Sequence, residues 1–153
     1  DHPAIVSLLL CVTGLILFIP GWVKSKPTAN PRLHTSLLMG CAQALALLPG
    51  ISRSGSTIAA GLALGIRPAI AAEFSFLLAI PAISGATVLK MDEISAIPKD
   101  QALIYITGIA IAFFTGLLAI YAVISSIRHG KFAYFGIYCI TIGIAGLIYF
   151  SMR

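Results

Sequence analysis

The stretch from Leu48 to Thr57 places one arginine and four hydroxyl side chains between two apolar segments of a strongly hydrophobic chain. A charge is costly at membrane depth, so Arg53 requires a partner or a ligand there. The residues from Ser54 onward have the pattern of a helix start, where free backbone N–H groups and the positive end of the helix dipole attract anions. Combined with hydroxyl donors and a guanidinium, these groups are suited to binding phosphate.

Each residue of this motif has a predicted role in such a site and also a purely structural interpretation. Arg53 is the centre of the site or, alternatively, an interfacial arginine whose side chain extends to the headgroups. Ser54 is a candidate N-cap of the second helix, and Ser56 and Thr57 then lie in the first turn. Because Thr57 follows Arg53 by four residues, both side chains can face one cavity.

Two glycines and two polar side chains complete the candidate site. Gly50 and Gly55 would let the backbone approach a ligand closely. Glu73 is the one acidic residue within an apolar span; it neutralises the central arginine or pairs with Arg67 at the membrane edge, and the second interpretation is favoured. Gln43 supports the site or forms a hydrogen bond between helices, and again the second is favoured.

Other kinds of phosphate and hydrolase chemistry lack their residues here. The motif has no GxxxxGK pattern and no preceding strand, so it is not a Walker loop. There is no GxSxG elbow, and no histidine lies within fifteen residues of Arg53 to form a phosphohistidine. Three widely separated cysteines without CxxC spacing predict no metal site within this chain.

The composition assigns the motif to a membrane protein. Hydrophobic residues make up 59% of the 153 residues and charged residues 10%, whereas a soluble domain carries about 25% charged residues. The formal net charge is +5, but no basic run with interleaved aromatic residues is present. The excess of Lys and Arg therefore indicates membrane topology, and no nucleic-acid partner is predicted.

Helix lengths distinguish the segment that carries the motif from the rest of the chain. Residues 36–48 and 54–66 would each cover about 20 Å as helices, too short for a hydrocarbon core of about 30 Å. We interpret residues 36–66 as a re-entrant helical hairpin whose tip lines a cavity; two short tilted spans with the motif in a surface loop are the alternative. Four other segments are long enough to span: residues 4–22, 69–89, 102–127 and 132–150. The predicted fold is an all-α, polytopic integral membrane protein, with residues 1–153 in a single transmembrane domain.

Three segments carry a family resemblance: Pro49–Thr57, Gly40–Ala46, and Ala72–Leu78 followed by Pro81. They are similar to segments of the bacitracin-resistance family of undecaprenyl-diphosphate phosphatases, whose second signature motif resembles the first of them. The resemblance implies hydrolysis of a polyprenyl diphosphate to the monophosphate plus phosphate, which recycles the lipid carrier of cell-wall synthesis. It also implies a multi-pass protein of the bacterial plasma (inner) membrane, and a fold of two inverted repeats with a re-entrant hairpin in each.

The resemblance also implies roles for the residues of the motif. Ser52, Arg53 and Thr57 match residues that hold or attack the diphosphate and are the predicted catalytic set. Ser54 and Gly55 belong to the same motif without so clear a role, and we group them with Gly50 and Ser56 as substrate-binding residues.

One part of the family pattern is missing, namely a glutamate-rich first motif followed by serines and a histidine. The only glutamates here are Glu73 and Glu93. The chain is therefore predicted to be the C-terminal part of the enzyme, with the N-terminal half as its partner. A divalent cation, Mg²⁺ or Ca²⁺, is implied, with its ligands expected outside this chain.

The predicted partners are thus the polyprenyl diphosphate lipid, membrane lipids and the N-terminal half, and a homodimer is also compatible with the resemblance. Two other functions stay open from the residues alone. A charged tip on a re-entrant hairpin also occurs in transporters, so the chain is alternatively half of a transporter with an anion site at the midplane. The last alternative is a membrane scaffold without a site, in which Arg53 faces the headgroups.

Overall fold

The computed structural model describes residues 3–23, 31–92, 98 and 101–152, and the regular elements within these ranges are α-helices. The predicted all-α class is confirmed. Glu93 lies outside the described residues. The helices are α1 (Pro3–Trp22), α2 (Leu33–Leu45), α3 (Arg53–Ala63), α4 (Pro68–Leu89), α5 (Ala102–Arg128) and α6 (Phe132–Ser151).

Four of these helices, α1, α4, α5 and α6, are long and apolar enough to cross a membrane. Their bounds lie within one residue of the predicted spans, because each span is limited by proline, glycine or charged residues that the sequence displays directly. The chain is a multi-pass membrane protein. The predicted inverted repeat stays a prediction.

The two short helices of the hairpin pack against each other, but their bounds differ from the predicted ones. Helix α2 starts and ends three residues earlier than expected. At its start, the backbone N–H of Arg32 donates to Oγ1 of Thr35 over 2.8 Å, and this capping contact fixes the first turn. At its end, the N–H groups of Ala46 and Leu47 bond to carbonyls three residues back, at 3.1 and 3.2 Å, so the helix tightens and stops.

Helix α3 begins at Arg53 and ends in a Schellman motif. Gly65 has a positive φ of 79°, a conformation that glycine adopts without steric cost. Its N–H donates to the carbonyl of Leu62 at 3.0 Å, and the N–H of Ile66 donates to the carbonyl of Gly61 at 2.9 Å. The chain therefore turns sharply into α4.

Helix α3 and the turn before it run alongside α1. Gly50 lies against Val6 and Leu9, and Gly55 lies against Leu17. Position 13 of α1, which lies between these contacts, is hydrogen-bonded to the backbone at Gly50 and at position 52. The start of α3 is thus located beside the middle of a 20-residue apolar helix. The re-entrant course of residues 36–66 stays a prediction.

Small residues bring the remaining helices together. Helices α1 and α6 cross closely, with the backbone of Gly136 near that of Gly14, and Gly143 against Ser7 and Cys11. Gly61 approaches Met39 of α2 and Ala71 of α4, so α3 packs closely against both helices. The main core consists of Leu17, Ile58, Ala59, Ala72, Ile127 and Phe132.

Candidate functional site

A buried threonine of α1 holds the turn that precedes α3. Thr13 is 0% exposed. Its hydroxyl donates to the carbonyl oxygen of Gly50 over 2.9 Å and accepts from the backbone N–H of Ser52 over 3.1 Å. Both backbone groups belong to the irregular stretch between two helices, where neither has a helical partner. Thr13 therefore fixes the path of the chain into the motif.

Ser52 is the N-cap of α3. Its Oγ accepts the backbone N–H of Gly55 over 3.1 Å, and its carbonyl accepts the N–H of Ser56 over 2.9 Å. The prediction that Ser54 is the N-cap was wrong, because the helix starts one residue earlier than expected and Ser54 is exposed in its first turn. Since Oγ of Ser52 acts as the acceptor of this bond, its own proton is available to a ligand.

Arg53 and Ser54 present unused donors at the same helix end. In the described part of the chain, no acceptor contacts the backbone N–H of either residue. The guanidinium of Arg53, which is half-buried, also has no hydrogen bond or ion pair with any described residue. Two free backbone N–H groups and the Ser52 hydroxyl thus lie at the positive end of the α3 helix dipole. The unpaired guanidinium belongs to Arg53, the first residue of that helix.

Thr57 is located on the buried side of α3, where it is 0% exposed. Its hydroxyl is within hydrogen-bond distance of the carbonyls of Arg53 and Ser54, at 3.0 and 3.1 Å, and it contacts Oγ of Ser75 on α4. Ser75 is itself 3% exposed. These contacts tie the first turn of α3 to α4, and no surface of Thr57 is open to a ligand in this chain. Its predicted catalytic role stays a prediction.

The two glycines of the motif approach α1 closely. Gly50 has a φ of 102°, and a Cβ atom there would lie 2.5 Å from the carbonyl oxygen of Val6. A Cβ atom at Gly55 would lie 2.8 Å from Oγ of Ser52 and 3.1 Å from Cδ2 of Leu17. Both glycines are therefore required by close packing within the chain; their predicted approach to a ligand stays a prediction.

Ser56 and Gln43 lie apart from the donors at the helix start. Ser56 is 4% exposed and lines a different cavity, of about 200 Å³, between α1, α2 and α3. Its hydroxyl has no partner among the described residues. Nε2 of Gln43 donates to the carbonyl of Leu78 on α4 over 3.3 Å, which confirms the favoured interpretation of an interhelical hydrogen bond. The structure therefore does not bring Ser56 together with Ser52 and Ser54.

Glu73 is exposed on α4. Within the described ranges it forms no ion pair with Arg53 or with Arg67, so neither predicted pairing is observed. No group of three or more His, Cys, Asp or Glu side chains is placed to hold a metal ion in this part of the chain. A single exposed carboxylate does not fit a divalent cation, which takes several oxygen ligands.

A cleft of about 180 Å³ lies beside the start of α3. Ser52, Ser54 and Gly55 line one part of it. The other walls come from α1, α3, α5 and α6 and consist of Leu17, Ile58, Val123, Phe132, Phe135, Tyr138 and Cys139. Because the cleft has hydroxyl donors in one part and aromatic and aliphatic walls in the other, it is suited to a molecule with a polar head and an apolar tail.

Sequence reasoning missed Thr13 and Ser75, which hold the motif at its two ends. Each is a hydroxyl residue in a predominantly apolar span, and that is the signal by which both could have been found. The aromatic wall on α6 gave no comparable signal, because aromatic residues are common throughout the apolar segments.

The known proteins that this chain resembles share one name, undecaprenyl-diphosphatase. A protein of Protochlamydia amoebophila named undecaprenyl-diphosphatase is 38% identical over 157 residues, covering 99% of this chain and 61% of the relative. One of the same name from Bacteroides fragilis is 40% identical over 148 residues, covering 94% of this chain and 56% of the relative. One from Methanothermobacter thermautotrophicus is 41% identical over 144 residues and is covered to 80% of its length.

The chain spans little more than half the length of the first two relatives. Residues 1–145 match the family described as Bacitracin resistance protein BacA. This match includes the motif at the start of α3, the turn before it and all four spanning helices except the end of α6. The chain therefore belongs to the BacA bacitracin-resistance family.

Proposed function

We propose that this chain is the C-terminal part of an enzyme that hydrolyses undecaprenyl diphosphate to undecaprenyl monophosphate and phosphate, thereby recycling the lipid carrier of cell-wall synthesis. The names of the relatives support this reaction. The observation that carries it is the set of unused donors at the start of α3, Ser52, Arg53 and Ser54. These donors are suited to an oxyanion, and none of them is consumed by the described part of the fold.

The chemistry of the site follows from which donors are free. The backbone N–H groups of Arg53 and Ser54 and the hydroxyl of Ser52 bind oxygens of the diphosphate, and the guanidinium of Arg53 neutralises its charge. As the phosphoryl group is transferred, charge spreads over its oxygens, and preorganised donors stabilise that state more than they stabilise the substrate. Thr13 and the Thr57–Ser75 contact keep these donors in place.

The position of the site in the membrane agrees with a lipid diphosphate. Helix α3 has 11 residues and covers about 16 Å. Its far end leads to Gly65, which shares a hollow with Trp22, and tryptophan is enriched at membrane interfaces. The donors then lie about half a hydrocarbon thickness below that interface. This depth supports the re-entrant interpretation of residues 36–66, and the apolar cleft beside Ser52 is suited to the first part of the prenyl chain.

Other parts of the proposal concern groups outside this chain. The described residues do not form a divalent-cation site, so the ligands of the Mg²⁺ or Ca²⁺ implied by the family are assigned to the N-terminal half of the enzyme. Location in the bacterial plasma (inner) membrane is part of the same proposal. A homodimer stays a prediction.

The test is phosphate release from undecaprenyl diphosphate by the full-length protein carrying Arg53→Ala. We expect a loss of about 10³-fold or more in kcat, because an arginine that stabilises transferring phosphoryl charge contributes this much. The matched control is Arg32→Ala, which removes an exposed arginine at the start of another short helix, α2, and leaves the backbone contact to Thr35 intact. The control should retain activity within about threefold.

Two results would contradict the proposal. If Arg53→Ala retains activity within about tenfold of the unmutated protein, the guanidinium has no role in phosphoryl transfer. If the unmutated protein releases no phosphate and instead carries inorganic phosphate across liposome membranes, the chain is half of a transporter with a midplane anion site.

A further inference from the structure

A second set of basic side chains lies at the opposite end of α3 from the phosphate-binding motif. There the C-terminal end of α1, the turn between α3 and α4 and the turn between α5 and α6 meet around a hollow of about 500 Å³. Trp22 lines this hollow and is 74% exposed. Because tryptophan at the end of a spanning helix marks the headgroup level, this end of the molecule lies at a membrane interface.

Two arginines line a neighbouring hollow at the same end. Arg67, the N-cap of α4, and Arg128, in the last turn of α5, flank a space of about 510 Å³. The other lining residues are apolar: Pro68, Ala69 and Ile70. Two separate helices thus direct one cation each to one space with an apolar floor.

The charge of this hollow is not balanced by the described part of the chain. Neither arginine forms an ion pair or a hydrogen bond through its guanidinium with any described residue. Glu73 follows Ile70 by three residues but does not line the hollow. The backbone N–H groups of Ala69 and Ile70, at the start of the 22-residue helix α4, also lack acceptors among the described residues. Like charges that share one space favour an anion between them.

We propose that this hollow binds the phosphodiester headgroup of an anionic membrane phospholipid, with Arg67 and Arg128 as its two ligands. Basic pockets between membrane helices bind such headgroups in general. A lipid is favoured over free phosphate because the floor is apolar and because the adjoining surfaces of α4 and α5 are apolar and exposed, as acyl chains require. This inference does not rest on the proposed phosphatase activity, and its test does not measure that activity.

The experiment measures the thermal unfolding midpoint of the full-length protein in phosphatidylcholine vesicles that contain increasing fractions of phosphatidylglycerol. We expect phosphatidylglycerol to raise the midpoint saturably. Arg67→Gln or Arg128→Gln should raise the fraction needed for half of the effect about tenfold, because each removes charge-assisted hydrogen bonds to the phosphate. The control Arg32→Gln removes the same charge from the exposed start of α2, outside the hollow, and should leave the titration unchanged.

Three results would overturn the inference. An unchanged titration when Arg67→Gln and Arg128→Gln are combined in one protein would show that neither arginine binds the lipid. An equal weakening in Arg32→Gln would indicate diffuse attraction to a charged surface. An equal rise of the midpoint with inorganic phosphate in pure phosphatidylcholine vesicles would identify a phosphate-ion site. Arg128→Lys, which keeps the charge but loses the paired hydrogen bonds of guanidinium, should weaken binding less than Arg128→Gln and serves if a glutamine variant does not fold.

Discussion

Helices α3 and α5 show the reverse of the burial pattern of a soluble protein, because the helix with polar residues is buried and the apolar helix is exposed. Helix α3 carries an arginine, two serines and a threonine, yet Gly55 to Ala59 are all buried. Helix α5 has 27 residues, almost all apolar, and only Ile127 is buried. In a membrane an apolar side chain gains little by leaving lipid, so burial follows small residues and hydrogen bonds instead. The first turn of α3 is therefore buried because hydrogen bonds and close contacts hold it between α1 and α4.

The contacts of α3 act on both sides of its first turn. Thr13 of α1 holds the chain entering the turn, and Ser75 of α4 holds Thr57 one turn later. Threonines of α5, by contrast, bond only to carbonyls of their own helix, as Thr107 and Thr115 do. If polar contacts between helices maintain the site, a substitution at a residue that bonds to α3 or its turn should destabilise the protein more than the same substitution on α5.

The largest expected difference is between Thr13→Val and Thr107→Val in the full-length protein. Thr13→Val leaves the half-buried carbonyl of Gly50 and N–H of Ser52 without their hydroxyl partner, at a cost of about 2 kcal/mol in the free energy of unfolding. Thr107→Val removes only a hydroxyl bonded within its own exposed helix and should cost less than about 0.5 kcal/mol. Unfolding by SDS titration measures both.

Activity sharpens this comparison. Under the proposed function Thr13 acts by positioning the donors, so Thr13→Val should lower kcat about 100-fold, and Thr13→Ser, which keeps the hydroxyl, should restore most of it. Equal effects of the two valine variants on unfolding and on kcat would contradict the role assigned to the Thr13 contacts.

Elements that depend on local sequence pattern can be predicted from the sequence, whereas features that depend on contacts between helices cannot. The four spans follow from runs of apolar residues bounded by breakers, so their ends are predicted within one residue. The N-cap of α3 is not predictable in this way, because Ser52 and Ser54 are equally suited by type. Ser52 is selected by the hydrogen bond that its N–H donates to Thr13, 39 residues away.

The candidate site shows the same division. Ser52 and Ser54 are identified by their place in the motif and do line one cleft. Ser56 is two residues further along, but helical geometry turns it to the cavity on the other side of α3. The wall formed by Phe132, Phe135, Tyr138 and Cys139 belongs to another helix, and the packing of α6 against α1 brings it to the site.

A smaller difference is expected between Gly61→Val and Gly108→Val. A Cβ atom at Gly61 would lie 3.0 Å from Cβ of Ala71 and 3.0 Å from Cε of Met39, whereas nothing lies within 4 Å of a Cβ atom at Gly108 on α5. Gly61→Val should therefore destabilise by about 1–3 kcal/mol through overpacking. Gly108→Val should change the unfolding free energy by less than about 0.5 kcal/mol. Equal destabilisation by the two would show that α5 is as closely packed as α3.

The smallest expected effect is the coupling between Thr57 and Ser75, which only a double-mutant cycle can isolate. Thr57→Val and Ser75→Ala each remove one partner of a hydrogen bond between α3 and α4, so the second substitution should cost less once the first is present. Hydrogen bonds between membrane helices couple by about 0.6 kcal/mol on average. The control cycle pairs Ser75→Ala with Thr115→Val, whose hydroxyl bonds within exposed α5, and should be additive. If the Thr57–Ser75 cycle is equally additive, hydrogen bonding does not hold this turn against α4, and close packing at Gly61 accounts for the burial of α3 by itself.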